Sequence, residues 1–316
     1  LAERTSDQAH LGAMAASLLP HQPAALRVES ACASGAIALH TACGMLESGK
    51  VETVLVVGVE KMTDADNAAI TSGLMGAADS ELDSPSGLTF PGIFGLIANR
   101  YMHEHGLTRE KLNTVSAAHH KNAMSNPFAQ FRMEVKPEAV SKSTKVADPL
   151  CMLDCSPISD GAAACILSTK HESTLKIAAS QIASDTVSIT QRESITGFQA
   201  TQHAAAKAFA EAAIHRNDIA HLEIHDCFSI AAIINLEDLG YAAPGTGIKL
   251  YENPGKQTIN ASGGLKACGH PVAATGVKQI IDITKQLKAS GERYGLAHNF
   301  GGACATCGIH ILEHTA

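Results

Sequence analysis

A cysteine among small residues, a histidine between glycine and proline, and a His–Asp–Cys triplet carry the reactive groups of this chain. Cys32 stands in "ESACASG", with no charge from Ala31 to Leu46. At a helix start, unpaired N–H groups and the helix dipole favour a thiolate, and Ala31, Ala33, Ser34 and Gly35 leave room for a substrate. Free cysteine is also commonly buried and inert, and this segment alone leaves both readings open. His270 stands in "ACGHPVAATG", where Gly269 and Pro271 fix a turn. A cationic histidine is disfavoured at a helix N-terminus, so a neutral base able to take a thiol proton fits there. The plain alternative is a turn histidine facing water, the role expected of most of the 16 histidines. His225 and Cys227 flank Asp226 in "EIHDCFS", a strand-to-helix junction, where open α/β sheets place their sites. Asp226 there could equally be a helix-start carboxylate, and Cys227 a core cysteine. In "HNFGGACATCG", Gly301 and Gly302 could bring backbone N–H groups to a developing oxyanion, or form a simple tight turn.

These groups need elements to hold them. Residues 26–60 read as the strand "ALRVES", a sharp turn, a helix from Cys32 to Ser48 capped by Ser30 and closed by Gly49, then "TVLVVGVE". The last is a continuous apolar run, which predicts a parallel strand buried on both faces. Residues 63–150 are richer in Met, His, Asn, Pro and Ser. They predict helices near 92–105 and 109–124, the second capped by Thr108, then an irregular stretch. "DGAAACILST" returns to a buried strand. Further on come a helix near 202–215, the strand "HLEIH", the helix "DCFSIAAIINLEDLG", and "YGLAHNF" as a strand. Residues 28–58 and 258–301 share one plan of strand, small-residue turn, apolar helix, strand and Gly. That reads as two copies of one α/β unit, and places Cys32 and His270 at related, neighbouring points. The opening "LAERTSDQAHLGAMAASLLP" reads as an amphipathic helix with no cap, as if the chain began inside a domain.

Composition narrows the function. With 45% hydrophobic residues, 4% aromatic and no Trp, the core is built from Ala, Val, Ile and Leu packed closely around 26 glycines. A net charge of −7 argues against a nucleic-acid surface. No apolar run is long enough for a bilayer span, and no signal-peptide pattern is present. Nine cysteines in apolar contexts point to a reducing, intracellular compartment. The pairs Cys151–Cys155 and Cys304–Cys307 lack the polar knuckle of a zinc site, so no metal is expected. Neither a P-loop nor a dinucleotide fingerprint is present.

Three segments in order, "ESACASG", "GGLKACGHPVAATG" and "NFGGACATCG", resemble the thiolase family, and the likeness runs over essentially the whole chain. "HDCF" at 225–228 resembles the loop of sterol-carrier-protein-type thiolases, where many other thiolases have Asn-Glu-Ala-Phe. "VLVVGVEKM" and "SDGAAACIL" also fit. The resemblance implies a duplicated, layered α/β fold with an inserted loop domain and the first strand–helix–strand portion of the amino-terminal half missing. Expected boundaries are 1–63 with 156–172 for that half, 64–155 for the insertion and 173–316 for the carboxyl-terminal half.

By the same resemblance, Cys32 is the acylated nucleophile and His270 its base, later a holder of the thioester oxygen. His225 anchors a water in that oxyanion hole. The N–H groups of Cys32 and Gly301 form the second hole, and Ser156 contacts coenzyme A. Most thiolases open the last motif with an acid/base cysteine. Here that position is Asn299, so the role passes to Cys227, while Cys304 and Cys307 point into packing and Cys43 is structural. Coenzyme A is a substrate, no resident cofactor is implied, and Arg132, Lys136, Lys142 and Lys145 are available to its phosphates. A homodimer or homotetramer in the cytoplasm or an organelle matrix is expected. The implied activity is cleavage of 3-ketoacyl-CoA by CoA, or the reverse Claisen condensation. The rivals are a ketoacyl-synthase relative, against which "HDCF" and "GHP" count, and a non-catalytic CoA- or lipid-binding thiolase-like protein or assembly subunit.

Overall fold

The computed structural model describes residues 8–315. Helix α1 (Leu11–Ser17) lies within the amphipathic stretch at the start, of which residues 1–7 are outside the described residues. "ALRVES" is not a strand. Its Leu26 is 57% exposed, and among the described residues no strand pairs with it. A single 3₁₀ turn, Ala31–Ala33, carries Cys32 into helix α2 (Ser34–Glu47). Ala36, Leu39, Ala42 and Leu46 form its buried stripe. Ser30 does not cap it. Instead the Ser34 hydroxyl accepts the Ser30 N–H (2.9 Å) and donates to the Ala31 carbonyl (2.6 Å). Gly49, at φ 70°, follows the helix end.

Strand β1 (Thr53–Glu60) is followed by the helical region read as an insertion. It holds α3 (Asn67–Met75), α4 (Phe90–His105) and α5 (Arg109–Ala123). The Thr89 and Thr108 side chains accept the first free N–H groups of α4 and α5. The stretch expected to be irregular contains a short helix, α6 (Pro137–Lys142), and a ribbon of β2 (Lys145–Ala147) and β3 (Leu150–Cys151). Strand β4 (Gly161–Ser168) then pairs antiparallel with β1, Val56 opposite Cys165. The expectation of a parallel, doubly buried β1 is therefore corrected. Val54 and Val56 pack inward, but Leu55, Val57 and Val59 are 41–54% exposed. An uninterrupted apolar run does not distinguish one covered face from two.

The remaining strands form one sheet in the order β5-β9-β8-β6-β7. They are β5 (Leu175–Ser184), β6 (Ile219–Glu223), β7 (Thr258–Ile259), β8 (Tyr294–Gly301) and β9 (Thr306–His314). β6 runs parallel to β7 and β8, and the other pairs are antiparallel. Between them lie α7 (Gln199–Ala212), α8 (Ser229–Asp238), α9 (Lys249–Glu252), α10 (Gly264–Cys268) and α11 (Thr275–Ser290). Helices α2 and α11 lie together, touching both the β1–β4 pair and the larger sheet. Val277, Ile280, Ile283 and Leu287 of α11 join Leu39 and Val56 in one core.

Two glycines set the closeness of α2 and α11. A Cβ on Gly35 would lie 3.1 Å from Gly276 N, and one on Gly276 would lie 2.4 Å from Ala36 N. Backbone meets backbone there. The turn carrying Cys32 and the Pro271–Ala274 turn after His270 are thereby held side by side.

Candidate active site

Cys32 is half-buried and packs with Met62, Ile70 and Val272. Val272 follows His270 by two residues, so the second small-residue turn reaches the first. From the end of β8, the Gly302 N–H faces the Cys32 sulfur, joined by the Cys32 N–H. Gly301, expected to offer an N–H to the oxyanion hole, is the chain neighbour of Gly302. A Cβ on Gly301 would sit 2.5 Å from Ser30 O, and Gly302 needs φ 63°, so both positions favour glycine. Burial pushes the Cys32 thiol up to about 11, opposed by the Gly302 N–H and reinforced by the Glu60 carboxylate. The expected lowering by a helix start is overturned: desolvation outweighs two N–H groups. A cavity of about 240 Å³ lies against Cys32, lined also by Leu74, Ala77, Phe90 and Val272, with Arg27 and Glu29 among its walls.

The thiol's titration is directly measurable. Alkylation of Cys32 by iodoacetamide is expected to quicken about tenfold per pH unit from pH 7 to 10, because the thiolate fraction grows throughout that range. Peptide mapping of the labelled site checks this. A plateau at or below pH 8.5 would mean that the N–H groups win over burial.

His270 follows α10 and precedes a 3₁₀ turn at residues 272–274. Its N–H donates to the Ser159 hydroxyl (3.0 Å), and its Nδ1 lies 2.7 Å from the Thr275 hydroxyl. Thr275 can donate to the Pro271 carbonyl (3.4 Å), leaving a lone pair for an Nδ1–H. That tautomer gives Nε2 a free lone pair, and Nε2 is buried with no partner. Burial lowers His270 to about 4, so its imidazole is neutral.

His225 completes a facing pair, its ring 5.1 Å from that of His270 and nearly perpendicular. It lies beyond the end of β6. The Asn299 amide donates to His225 Nδ1 (2.9 Å), which places the imidazole proton on Nε2, also buried and without a partner. Burial, with His270 and His298 adding to it, holds His225 well below the usual histidine range. Phe300 covers the ring at 4.1 Å, and the Asn235 amide holds the His225 carbonyl. The two histidines therefore differ in kind: His270 offers a lone pair at Nε2, His225 a proton.

Cys227 lies between the end of β6 and α8, whose first residue is Ser229. Burial raises its pKa well above the ordinary thiol value, with Cys32 and Asp226 next among the causes. Ser156 is adjacent, its N–H donating to the Cys227 carbonyl (2.8 Å). Asp226 accepts the N–H groups of Leu265 (2.7 Å) and Lys266 (3.3 Å), tying the loop to α10 rather than capping α8. Cys304 and Cys307 are buried beside the Thr201 hydroxyl, and Cys43 is half-buried near Ser180. Arg132, Lys136, Lys142 and Lys145 are exposed, and Lys145 is paired with Asp148 (2.6 Å). Sequence reading passed over Thr275, Ser159 and His298. Only Thr275, one turn beyond His270 in "GHPVAATG", had a visible signal. Among the described residues, no group of three or more His, Cys, Asp and Glu is arranged to hold a metal ion, and no helix is long and apolar enough to cross a membrane.

Residues 2–171 match the model of the thiolase N-terminal domain, and residues 182–314 that of the thiolase C-terminal domain-like family. The chain belongs to the thiolase family. As a thiolase it is an acyltransferase. An acetyl-CoA acetyltransferase from Methanothermobacter thermautotrophicus is 43% identical over 305 residues, covering 91% of this chain and 79% of the relative. Sterol carrier protein 2 of Bos taurus is 32% identical, covering 87% of this thiolase and 56% of the relative. Among solved structures, the Ltp2-ChsH2(DUF35) aldolase shares the fold with a TM-score of 0.75 at 21% identity, over 90% of this thiolase and 78% of that chain.

Proposed function

We propose that this thiolase cleaves 3-ketoacyl-CoA with CoA, or condenses acetyl-CoA in reverse, through an acyl group on Cys32. The observation that carries the reading is the facing pair of buried imidazoles, both held neutral by burial and both with Nε2 unpartnered. His270 Nε2 takes the Cys32 proton as the sulfur attacks C3, and the tetrahedral oxyanion meets backbone N–H groups from Cys32 and the Gly301–Gly302 turn. The C2–C3 bond breaks, and its electron pair becomes the enolate of acetyl-CoA. That oxygen is held by His225 Nε2–H, directly or through a water, and by the proton now on His270. Cys227 gives its proton to C2. CoA then takes the acyl group from Cys32, and proton transfer restores both thiols. Ser156, whose backbone touches Cys227, is proposed to contact the bound CoA.

The resting state is a thiol beside a neutral imidazole, since burial raises Cys32 and lowers His270. Both charged partners appear only with substrate in place, which limits idle thiolate chemistry. Incubation with acetyl-CoA should add 42 Da, about the mass of one acetyl group replacing a proton, to the peptide containing Cys32. Acetoacetyl-CoA with CoA should yield acetyl-CoA. Absence of both the adduct and the cleavage would end the reading.

A further inference from the structure

One buried side chain outside the four motifs touches the loop between His225 and Cys227. His119, on α5, is fully buried, and its Nδ1 lies 2.7 Å from Asp226 Oδ2. On its other side, Nε2 lies 3.1 Å from the Tyr251 hydroxyl of α9, with the rings 5.5 Å apart. Asp226 is also fully buried and joins three elements: the loop itself, α5 through His119, and α10 through the N–H groups of Leu265 and Lys266. Gly264 is shaped to this carboxylate, because a Cβ there would stand 2.3 Å from Asp226 Oδ2. Burial opposes the Asp226 charge, but His119 and the two N–H groups hold it below the usual carboxylate range.

We propose that His119 is a positioning residue for the carbon–carbon step, holding the Asp226 carboxylate and through it the Cys227 thiol. This rests on the thiolase reading above. An ionised carboxylate only accepts, so Nδ1 bears the proton that faces Asp226 at 2.7 Å, on an approach off the ideal hydrogen-bond line. Without that donor, a buried carboxylate adjoining Cys227 loses one of its three partners and is driven to move or to take up a proton. The two half-reactions differ in exposure to this loss. His270 has anchors of its own at Ser159 and Thr275, and Cys32 lies on the opposite turn. Cys227 is held by its chain neighbour Asp226 and by one backbone bond from Ser156.

The test compares His119→Leu with His119→Asn, whose amide can donate from near the Nδ1 position. Acetylation of Cys32 by acetyl-CoA is followed by mass spectrometry, and exchange of the acetyl-CoA Cα protons in D2O by NMR. Expected for His119→Leu is exchange slowed on the order of 10²-fold, as for an ångström-scale misplacement of a reacting group, with acetylation within about threefold of wild type. His119→Asn should recover most of the exchange. Parallel loss of both half-reactions, unchanged exchange in His119→Leu, or no recovery in His119→Asn would each overturn the proposal. Should His119→Leu fail to fold, Asp226→Asn takes its place, with the same split expected and a uniform loss overturning it. The wild type's own adduct and exchange test the underlying thiolase reading separately.

Discussion

Replacing Cys32 by alanine is expected to lower thiolysis of acetoacetyl-CoA by a factor on the order of 10⁴ or more and to eliminate the acetyl adduct. The size follows from the two-step path. Without the sulfur there is no acyl-enzyme, and the residual groups can only polarise a 3-keto carbonyl that no enzyme nucleophile attacks. The fold should be almost indifferent. Cys32 is half-buried in a 3₁₀ turn and touches Met62, Ile70 and Val272 at its edge. Unfolding stability is expected to change by about 1 kcal/mol or less, as for a small-volume change at a partly exposed position. Urea titration and intact-mass analysis, run together, decide the matter. If Cys32→Ala keeps even a few per cent of wild-type turnover, the nucleophile lies elsewhere, with the Cys227 thiol the next to examine. If activity vanishes together with the folded state, the turn's packing rather than its chemistry explains the loss. Cys32→Ser then serves as the closer isostere.

What could be read from the sequence was mostly local. The uncharged run after Cys32 makes a helix because Ala36, Leu39, Ala42 and Leu46 repeat at helical spacing. "YGLAHNF" makes a buried strand for an equally local reason, and Thr108 caps α5 with its own hydroxyl. The match between "SACASG" and "SGGLKACGHP" also carried spatial information. Gly35 and Gly276 let the two helices touch backbone to backbone, and the two turns meet. Properties set by surroundings were not legible. The outer residues of β1 are exposed although the run is apolar throughout, because coverage belongs to neighbouring elements. Ser30 is an ordinary capping residue by type, yet the Ser34 hydroxyl reverses the bond. The sign of the Cys32 shift depends on the depth of burial, which a helix-start argument cannot supply. His119 showed nothing in sequence. It became notable only when folding brought it 2.7 Å from Asp226.

Cys227→Ala should divide the reaction rather than abolish it. Acetylation of Cys32 needs His270 and the backbone donors, none of which depends on the Cys227 side chain. It is expected to stay within about threefold of wild type, whereas Cα-proton exchange and condensation should fall by about 10²–10⁴-fold, the range of a lost general acid–base group. The structure makes this separation sharp. Asn299 occupies the place where most thiolases have the second cysteine, and its amide is committed to His225 Nδ1 at 2.9 Å. An amide there cannot exchange a proton with C2, and its carbonyl oxygen has no titratable hydrogen to lend. Cys304 and Cys307 are buried among Thr201 and β-strand packing, so neither can stand in. The high pKa of Cys227 fits the assignment in one direction especially. A thiol that strongly holds its proton stays loaded as the acid that quenches the departing carbanion. Removing the Cα proton requires its thiolate, which burial and the neighbouring Asp226 disfavour until substrate enters. Condensation should accordingly be the slower direction and should quicken as pH rises through the neutral range, while cleavage should vary less. Initial rates in both directions from pH 6 to 9, for wild type and Cys227→Ala, check the two statements together. An unchanged exchange rate in the variant removes Cys227 from the proton path. A steeper pH dependence for cleavage than for condensation would place the titrating group elsewhere.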